Sequence, residues 1–116
     1  NPRASSSIYL GSQLMAEAFK SHPDLDGVFC TNDDIAMGAL FYCREHDLAV
    51  PERISIAGFH GLEMGKQMIP SLASVITPRF DIGRMAAQML LNKLKNDALN
   101  HNTVDLGYQI YQGKTL

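Results

Sequence analysis

The sequence lacks any run of Lys or Arg. Its ten basic residues are spread thinly, and twelve acidic residues leave a formal net charge of −2. A nucleic-acid-binding surface needs a basic patch, because binding depends largely on the release of counterions from the phosphates. We therefore expect this segment not to contact DNA itself, and any DNA-binding part of the protein to lie elsewhere.

Cysteine is scarce, and long apolar runs are absent. Cys30 and Cys43 form no CxxC pair and fall in an apolar run and a predicted helix, respectively. Buried, reduced thiols are expected there, which favours a cytoplasmic protein, while a disulfide between them stays open. No apolar stretch approaches the roughly 20 residues of a membrane span. The chain begins Asn1-Pro2 without Met or a signal-peptide pattern, so we expect a fragment of a longer protein.

The usual signatures of metal, cofactor and nucleophile sites are also missing. The histidines form no HxxH or HxxxH pair, and the sequence has no GxSxG elbow and no Gly-rich phosphate loop. We therefore predict no cofactor, no metal and no enzymatic activity. Asp33 and Asp34 could hold Mg²⁺ at a strand end, but two carboxylates at a helix start more often act as caps.

What is present is the pattern of one α/β domain. Of the 116 residues, 46% are hydrophobic and 19% charged, which suits a single globular domain. Helical spacing predicts helices at about residues 8–20, 35–46, 63–68 and 82–95, the last capped by Asp81. Short apolar runs predict strands at 27–30 and 54–57, both buried on two faces, and at 72–76. A polar loop at 96–102 would precede an edge strand at 104–111. Helices that alternate with short strands indicate an open parallel sheet flanked by helices.

Polar side chains follow two of the predicted strands. Asn32 and Asp33 come just after residues 27–30, and His60 follows residues 54–58. Ligands of parallel sheets bind beyond the carboxyl ends of the strands, so these side chains would form a polar pocket floor. Helix capping is the alternative for Asn32 to Asp34, and a plain loop position is the alternative for His60.

Methionines gather around the short third helix. Met64 and Met68 lie on it, and Met37 lies on the second helix. Core filling would explain these residues. The alternative is an association surface, because the Met side chain is adaptable and enriched at interfaces.

Three segments, in order, resemble signatures of the lac-repressor family of bacterial transcription regulators. They are FCTNDDIAMGAL at 29–40, VPERISIAGF at 50–59, and IPSLASV at 69–75 followed by Pro78 and Gly83. Together they cover nearly the whole chain. The serines at 5–7, the segment FHG at 59–61 and the tail at 108–116 are most similar to the gluconate-utilisation repressors of that family.

The resemblance implies the C-terminal part of a two-lobed, periplasmic-binding-protein-like sensor that binds a small effector and dimerises. Residues 1–116 would supply most of the C-terminal lobe, whereas a crossover helix at about 79–96 would belong to the other lobe. A DNA-binding headpiece would lie upstream, and operator DNA would be bound only through it. Effector binding would shift the equilibrium between lobe arrangements and so the spacing of the headpieces.

Position by position, the resemblance also implies site residues. Asn32 matches a position that hydrogen-bonds the effector, and His60 matches an acidic residue that usually binds sugar hydroxyls. Ser6 matches a position often held by a stacking aromatic, and Arg79 lies where the chain crosses between lobes at the pocket edge. The positions that match the dimer interface of the C-terminal lobe are Met37, Met64, Gln67 and Met68.

Two departures from the family pattern, Ser6 and His60, disfavour a neutral ring sugar. An open-chain sugar acid has no ring to stack on, and its carboxylate would be repelled by Asp but tolerated by His or Arg. We therefore predict a cytoplasmic, homodimeric repressor fragment that binds an aldonate such as gluconate. One alternative is a periplasmic sugar-binding protein of the same fold, which the free cysteines and the segment at 50–59 disfavour. Another is an α/β enzyme with catalytic Asp33 or His60.

Overall fold

The computed structural model describes residues 5–95 and 103–116 and contains four helices and four strands within them. The helices are α1 (Ile8–Ser21), α2 (Asp33–Glu45), α3 (Glu63–Gln67) and α4 (Arg79–Leu94). The strands are β1 (Gly27–Phe29), β2 (Ser55–Phe59), β3 (Ala73–Ile76) and β4 (Gln109–Tyr111). The chain divides into two compact units, one that ends at Ile76 and resumes with Ile110–Leu116, and one formed by Thr77–Gln109.

The strands form one sheet in the order β1-β2-β3-β4. β1 pairs in parallel with β2, with Phe29 opposite Ala57, and β2 pairs in parallel with β3, with Phe59 opposite Val75. The predicted fold class, an open parallel sheet flanked by helices, is confirmed. Because these strands run in one direction, the residues that follow β1 and β2 emerge at the same edge of the sheet.

The core of the first unit is built around α2. Eight of its thirteen residues are buried. They share a core with Ile56 in β2 and with Ile54 and Leu72, which directly precede β2 and β3, and each of these three is at most 1% exposed. Burial of this much apolar surface is the main favourable contribution to folding. The N-terminus of α2 is therefore packed against the sheet, close to the carboxyl end of β1.

Helices α1 and α2 pack backbone against backbone through two glycines. A Cβ atom at Gly11 would collide with the carbonyl group of Ile35, and one at Gly38 would collide with the carbonyl oxygen of Ile8. Close approach of this kind requires glycine, because every other residue carries a Cβ atom. The start of α1 is in turn capped by Ser7, whose Oγ accepts a hydrogen bond of 3.1 Å from the amide of Leu10.

Three local predictions differ from the structure. The segment at 27–30 was expected to be buried on both faces, yet Phe29 in β1 is 64% exposed, since β1 stands at one end of the sheet order. Asp81 does not cap α4, because the helix already begins at Arg79. Asp81 instead forms an ion pair with Arg84, with 3.6 Å between its Oδ1 and the Nη2 of Arg84. The predicted strand at 104–111 is shortened to Gln109–Tyr111. The predicted loop at 96–102 lies outside the described residues.

The second unit consists of α4 and the segment that leads to β4. Helix α4 has no fully buried residue among the described parts of the chain, and Met85 and Met89 line a cleft with residues 103–107. Its apolar face therefore lacks the coverage that α2 receives. The assignment of residues 79–96 to a different lobe stays a prediction.

The helix contact at Gly38 leads to a prediction about stability. Gly38→Ala should lower the free energy of unfolding of the full-length protein by about 1–3 kcal/mol, because the added methyl group has no room between the helices. Gly83→Ala is the matched control. Gly83 also lies inside a helix, but a Cβ there meets nothing within 4 Å among the described residues. Helix propensity alone should make that change neutral or favourable by up to about 1 kcal/mol. Urea unfolding followed by circular dichroism measures both, and equal shifts of the same sign would contradict the proposed clash.

Both cysteines are buried, and they are not bonded to each other, as predicted for reduced thiols. Burial raises the pKa of the Cys30 thiol to about 11, and the nearby Asp33 carboxylate adds to this rise. Burial likewise raises the pKa of Cys43 to about 11, while Arg53 opposes the effect. The neutral thiol is therefore the stable form across the physiological pH range.

These raised pKa values predict how the thiols react. The thiolate is the reactive form, so alkylation of native Cys30 and Cys43 by iodoacetamide should keep rising with pH up to about 11. In urea the rate should level off near pH 8.5, the ordinary pKa of a cysteine thiol. Mass spectrometry of the two cysteine-containing peptides gives each rate. A plateau below pH 9 in the native protein would argue against the raised values.

Candidate functional site

The first part of the site lies just beyond β1, at the start of α2. Asn32 is the N-cap of this helix, and its Oδ1 accepts a hydrogen bond of 3.0 Å from the amide of Ile35. The other end of the same side chain, Nδ2, donates to the hydroxyl of Ser6 at 2.8 Å. The capping prediction for Asn32 is thus confirmed. Ser6 and Asn32, which are 26 positions apart, form one polar pair.

The second part lies just beyond β2, where His60 follows the last strand residue. Its backbone has φ of 103°, a left-handed conformation that side-chain-bearing residues rarely adopt. The His60 amide donates to the carbonyl of Val75 at 2.8 Å, and the ring packs edge-on against Phe59, with 4.9 Å between centroids. The imidazole Nδ1 is enclosed and has no hydrogen-bond partner within the described residues.

A buried carboxylate lies behind these two parts. Asp33 is 0% exposed, and both of its oxygens are occupied. Its Oδ2 accepts from the amide of Leu62 at 2.5 Å, and its Oδ1 accepts from the hydroxyl of Ser74 at 2.7 Å. The same hydroxyl accepts from the amide of Gly61 at 3.0 Å. Gly58 makes room for the carboxylate, because a Cβ there would collide with Asp33 Oδ1.

This geometry decides what Asp33 can do. A fully buried carboxylate with two satisfied oxygens cannot contact a substrate, so Asp33 is a structural residue and not a catalytic one in this conformation. In the described residues, 5–95 and 103–116, no group of three or more His, Cys, Asp or Glu side chains could hold a metal ion. The sequence analysis did not predict that Asp33 links α2 to the loop after β2. It considered Asp33 only as a helix cap, a Mg²⁺ ligand or a catalytic group.

Three of the four predicted effector residues belong to the first unit and emerge at one edge of its sheet. Ser6 and Asn32 are in direct contact, and His60 follows the neighbouring parallel strand. Arg79 belongs to the second unit, where it is the exposed first residue of α4. Its participation in the site stays a prediction.

The predicted interface residues differ in accessibility. Met37 is 2% exposed and belongs to the hydrophobic core, so its assignment to a contact surface is corrected: the helix face that carries it is already covered by the chain's own core. Met64 is 63% exposed, Gln67 is exposed, and Met68 is half-buried against the core. The neighbouring Ile69 is 92% exposed. An interface through α3 stays a prediction.

No helix among the described residues is long and apolar enough to cross a bilayer.

Comparison with known proteins gives consistent matches over the whole chain. The family model of the periplasmic binding protein-like domain matches residues 2–116 of this chain. The HTH-type transcriptional regulator IdnR of Escherichia coli K12 is 80% identical over 116 residues, which are 100% of this chain and 35% of that protein. The regulator GntR of the same organism is 44% identical over 112 residues, covering 97% of this chain and 34% of that protein. The chain thus spans about a third of the length of these curated relatives.

A solved structure agrees with the sequence matches. The transcription regulator GntR from Chromobacterium violaceum superimposes with a TM-score of 0.88 at 38% identity, over 98% of this chain and 42% of that one. A LacI-family regulator from Sanguibacter keddieii superimposes with a TM-score of 0.85 at 28% identity, over 96% of this chain and 43% of that one.

Proposed function

The chain belongs to the periplasmic-binding-protein-like domain family, among the lac-repressor-type regulators, and we propose that it is the effector-sensing and dimerising part of a bacterial repressor of sugar-acid utilisation genes. The observation that carries this proposal is that the Ser6–Asn32 pair and His60 follow the carboxyl ends of two neighbouring parallel strands. Ligands bind at this edge in open α/β sheets. Gluconate is the proposed effector class.

The free hydrogen-bonding capacity of the site suits a polyol. An Asn amide offers two N–H donors and two lone pairs, and Asn32 uses one donor on Ser6 and one lone pair on Ile35. The Ser6 hydroxyl accepts from Asn32, and its own proton has no acceptor among residues 5–95 and 103–116, so it can donate to a ligand. This pair can therefore both donate to and accept from the hydroxyls of an open-chain sugar.

The charge of the site suits an acid. The Asp33 carboxylate, which follows Asn32 in the chain, is buried and accepts two hydrogen bonds. His60, where relatives of the family usually carry an acidic residue, can donate a hydrogen bond to a carboxylate, and Arg79 is proposed as a second donor. A hydrogen bond to a charged group contributes roughly 1.5–3 kcal/mol, enough to favour an aldonate over the matching neutral sugar.

The remainder of the proposed mechanism depends on parts of the protein outside this chain. Effector binding would favour one arrangement of the two lobes, and the spacing of the headpieces would change with it. Operator DNA would be bound by the headpieces alone, in the cytoplasm, without catalysis. The similarity to the regulators IdnR and GntR supports this interpretation over a periplasmic sugar-binding protein of the same fold.

Ligand choice tests the site. In the full-length protein, His60→Asp should weaken gluconate binding at least about tenfold, which is 1.4 kcal/mol, because it sets a negative charge beside the effector's carboxylate. His22→Asp is the matched control. His22 is exposed at the end of α1, which leads into the amino end of β1, so the same change there lies at the opposite edge of the sheet. Calorimetry with gluconate and with glucose measures both variants. Equal gluconate affinity in wild type and His60→Asp, or tighter binding of glucose by wild type, would refute the assignment.

We further propose that the exposed side of α3 contributes to a homodimer. Met64 and Ile69 present apolar side chains to solvent on either side of Gln67, and such patches often mark association surfaces. Met68 lies between them but also packs on the core, which makes it the less clean position for mutation.

Dimerisation is tested at Met64. Met64→Asp should weaken self-association of the full-length protein by about 2 kcal/mol or more, because burial of an unpaired charge at an interface is costly. His22→Asp again serves as control for an added surface charge. Sedimentation equilibrium measures the dimer constant, and urea unfolding checks that the variant is folded. An unchanged constant in a folded Met64→Asp protein would remove α3 from the interface.

A further inference from the structure

We propose that Asp33 and Ser74 are positioning residues for the effector site, which hold His60 in the conformation that binds the effector. The inference rests on the proposed function of the site and adds residues that cannot contact the ligand themselves. Asp33 is 0% exposed and Ser74 is 4% exposed, so any influence on the effector must pass through the groups that they hold.

The loop after His60 is held by this pair at two consecutive amides. The Gly61 amide donates to Ser74 Oγ at 3.0 Å, and the Leu62 amide donates to Asp33 Oδ2 at 2.5 Å. The 2.7 Å bond from Ser74 to Asp33 joins the two anchors. The backbone amide of His60 itself donates to the carbonyl of Val75 in β3. The backbone of His60 is thus fastened before and after the side chain.

His60 needs this support because its backbone is strained. A residue with a side chain at φ of 103° relaxes toward negative φ unless neighbouring contacts prevent it. If the anchors at Gly61 and Leu62 are lost, the loop gains other conformations, and the imidazole leaves its place for part of the time. The apparent dissociation constant then rises in inverse proportion to the fraction that stays competent.

The Asp33 carboxylate also connects the part of the site that follows β1, which contains Asn32, with the part that follows β2, which contains His60. Asp33 is the residue after Asn32, so its position is set by the first turn of α2. Through its two bonds, this turn is joined to β3 and to the loop that carries His60. The Asp33–Ser74 pair therefore determines the spacing between the Asn32–Ser6 pair and the imidazole, which is the dimension that a bound polyol acid must match.

The chain offers a control with the same chemistry in another place. Thr115 is 0% exposed, and its hydroxyl also makes two hydrogen bonds. It donates to the carbonyl of Ile56 at 2.5 Å and accepts from the amide of Ala73, the neighbour of Ser74, at 2.9 Å. Thr115 supports the same strands, β2 and β3, but holds no part of the loop at 60–62.

The experiment compares Ser74→Ala with Thr115→Val in the full-length protein. Each variant removes a buried hydroxyl with two hydrogen bonds, so both should lose stability in urea unfolding. We expect Ser74→Ala to weaken gluconate binding about fivefold to tenfold and to speed amide hydrogen exchange in a peptide that spans residues 60–62. We expect Thr115→Val to leave both unchanged within twofold.

Asp33→Asn is the conservative variant at the other residue of the pair. Asn can turn its oxygen toward the Leu62 amide and its NH₂ group toward Ser74 Oγ, which still accepts from Gly61, so both loop anchors survive. Affinity for gluconate in Asp33→Asn should therefore stay closer to wild type than in Ser74→Ala. Weakening of equal size in Ser74→Ala and Thr115→Val, or loop exchange that Ser74→Ala leaves unchanged, would overturn the positioning role.

The outcomes separate this inference from the proposed function. If His60→Asp weakens gluconate binding but Ser74→Ala does not, the site stands and the positioning role fails. If wild-type protein does not bind gluconate, the proposed effector fails, and the exchange rates at residues 60–62 decide the positioning role without a ligand.

Discussion

The burial of α2 on two sides is the constraint on which the other features of this molecule depend. One side of the helix meets α1 so closely that glycines are needed at the contact, and the other covers the sheet. A helix enclosed in this way still has unsatisfied amides in its first turn, which must find partners. Asn32 supplies one such partner as the N-cap. The next residue, Asp33, sends its carboxylate inward, where burial of a charge is tolerable only with full hydrogen bonding. The Leu62 amide and the Ser74 hydroxyl supply that bonding. Core packing and site geometry therefore have a common origin at the start of α2.

Local pattern predicted most of the elements because it reports on periodic burial. The helices at 8–20 and 35–46 and the strands at 54–57 and 72–76 were located to within a few residues, since each has a continuous apolar face or run. Pattern failed where neighbours in space decide the outcome. Phe29 belongs to an apolar run, but its exposure depends on the place of β1 in the sheet. Sequence alone left Met37 either in the core or on an association surface, and its assignment to the interface is wrong because the core around α2 encloses it.

In the candidate site, too, some residues could be predicted from local pattern and others could not. Asn32 and His60 could be found from sequence, because polar residues directly after apolar strands indicate the binding edge of a parallel sheet. The partnership of Asp33 with Ser74 and Leu62 could not, because these residues lie 41 and 29 positions away along the chain. Nor could the left-handed backbone of His60, since nothing in its residue type demands it. A weak signal was available in Gly58, whose missing side chain leaves room for a carboxylate.

That contact between Gly58 and Asp33 also restricts how such a protein can evolve. Any side chain at position 58 collides with the carboxylate, and loss of the carboxylate alone leaves the Leu62 amide and the Ser74 hydroxyl without their acceptor. Change at either position is therefore unfavourable as a first step, and the two positions should vary together across a lineage or not at all. Positions 6 and 60 carry no such restriction, because their side chains lie outside the buried network. Relatives that sense different small molecules would then differ at positions 6 and 60, while positions 33 and 58 stay the same.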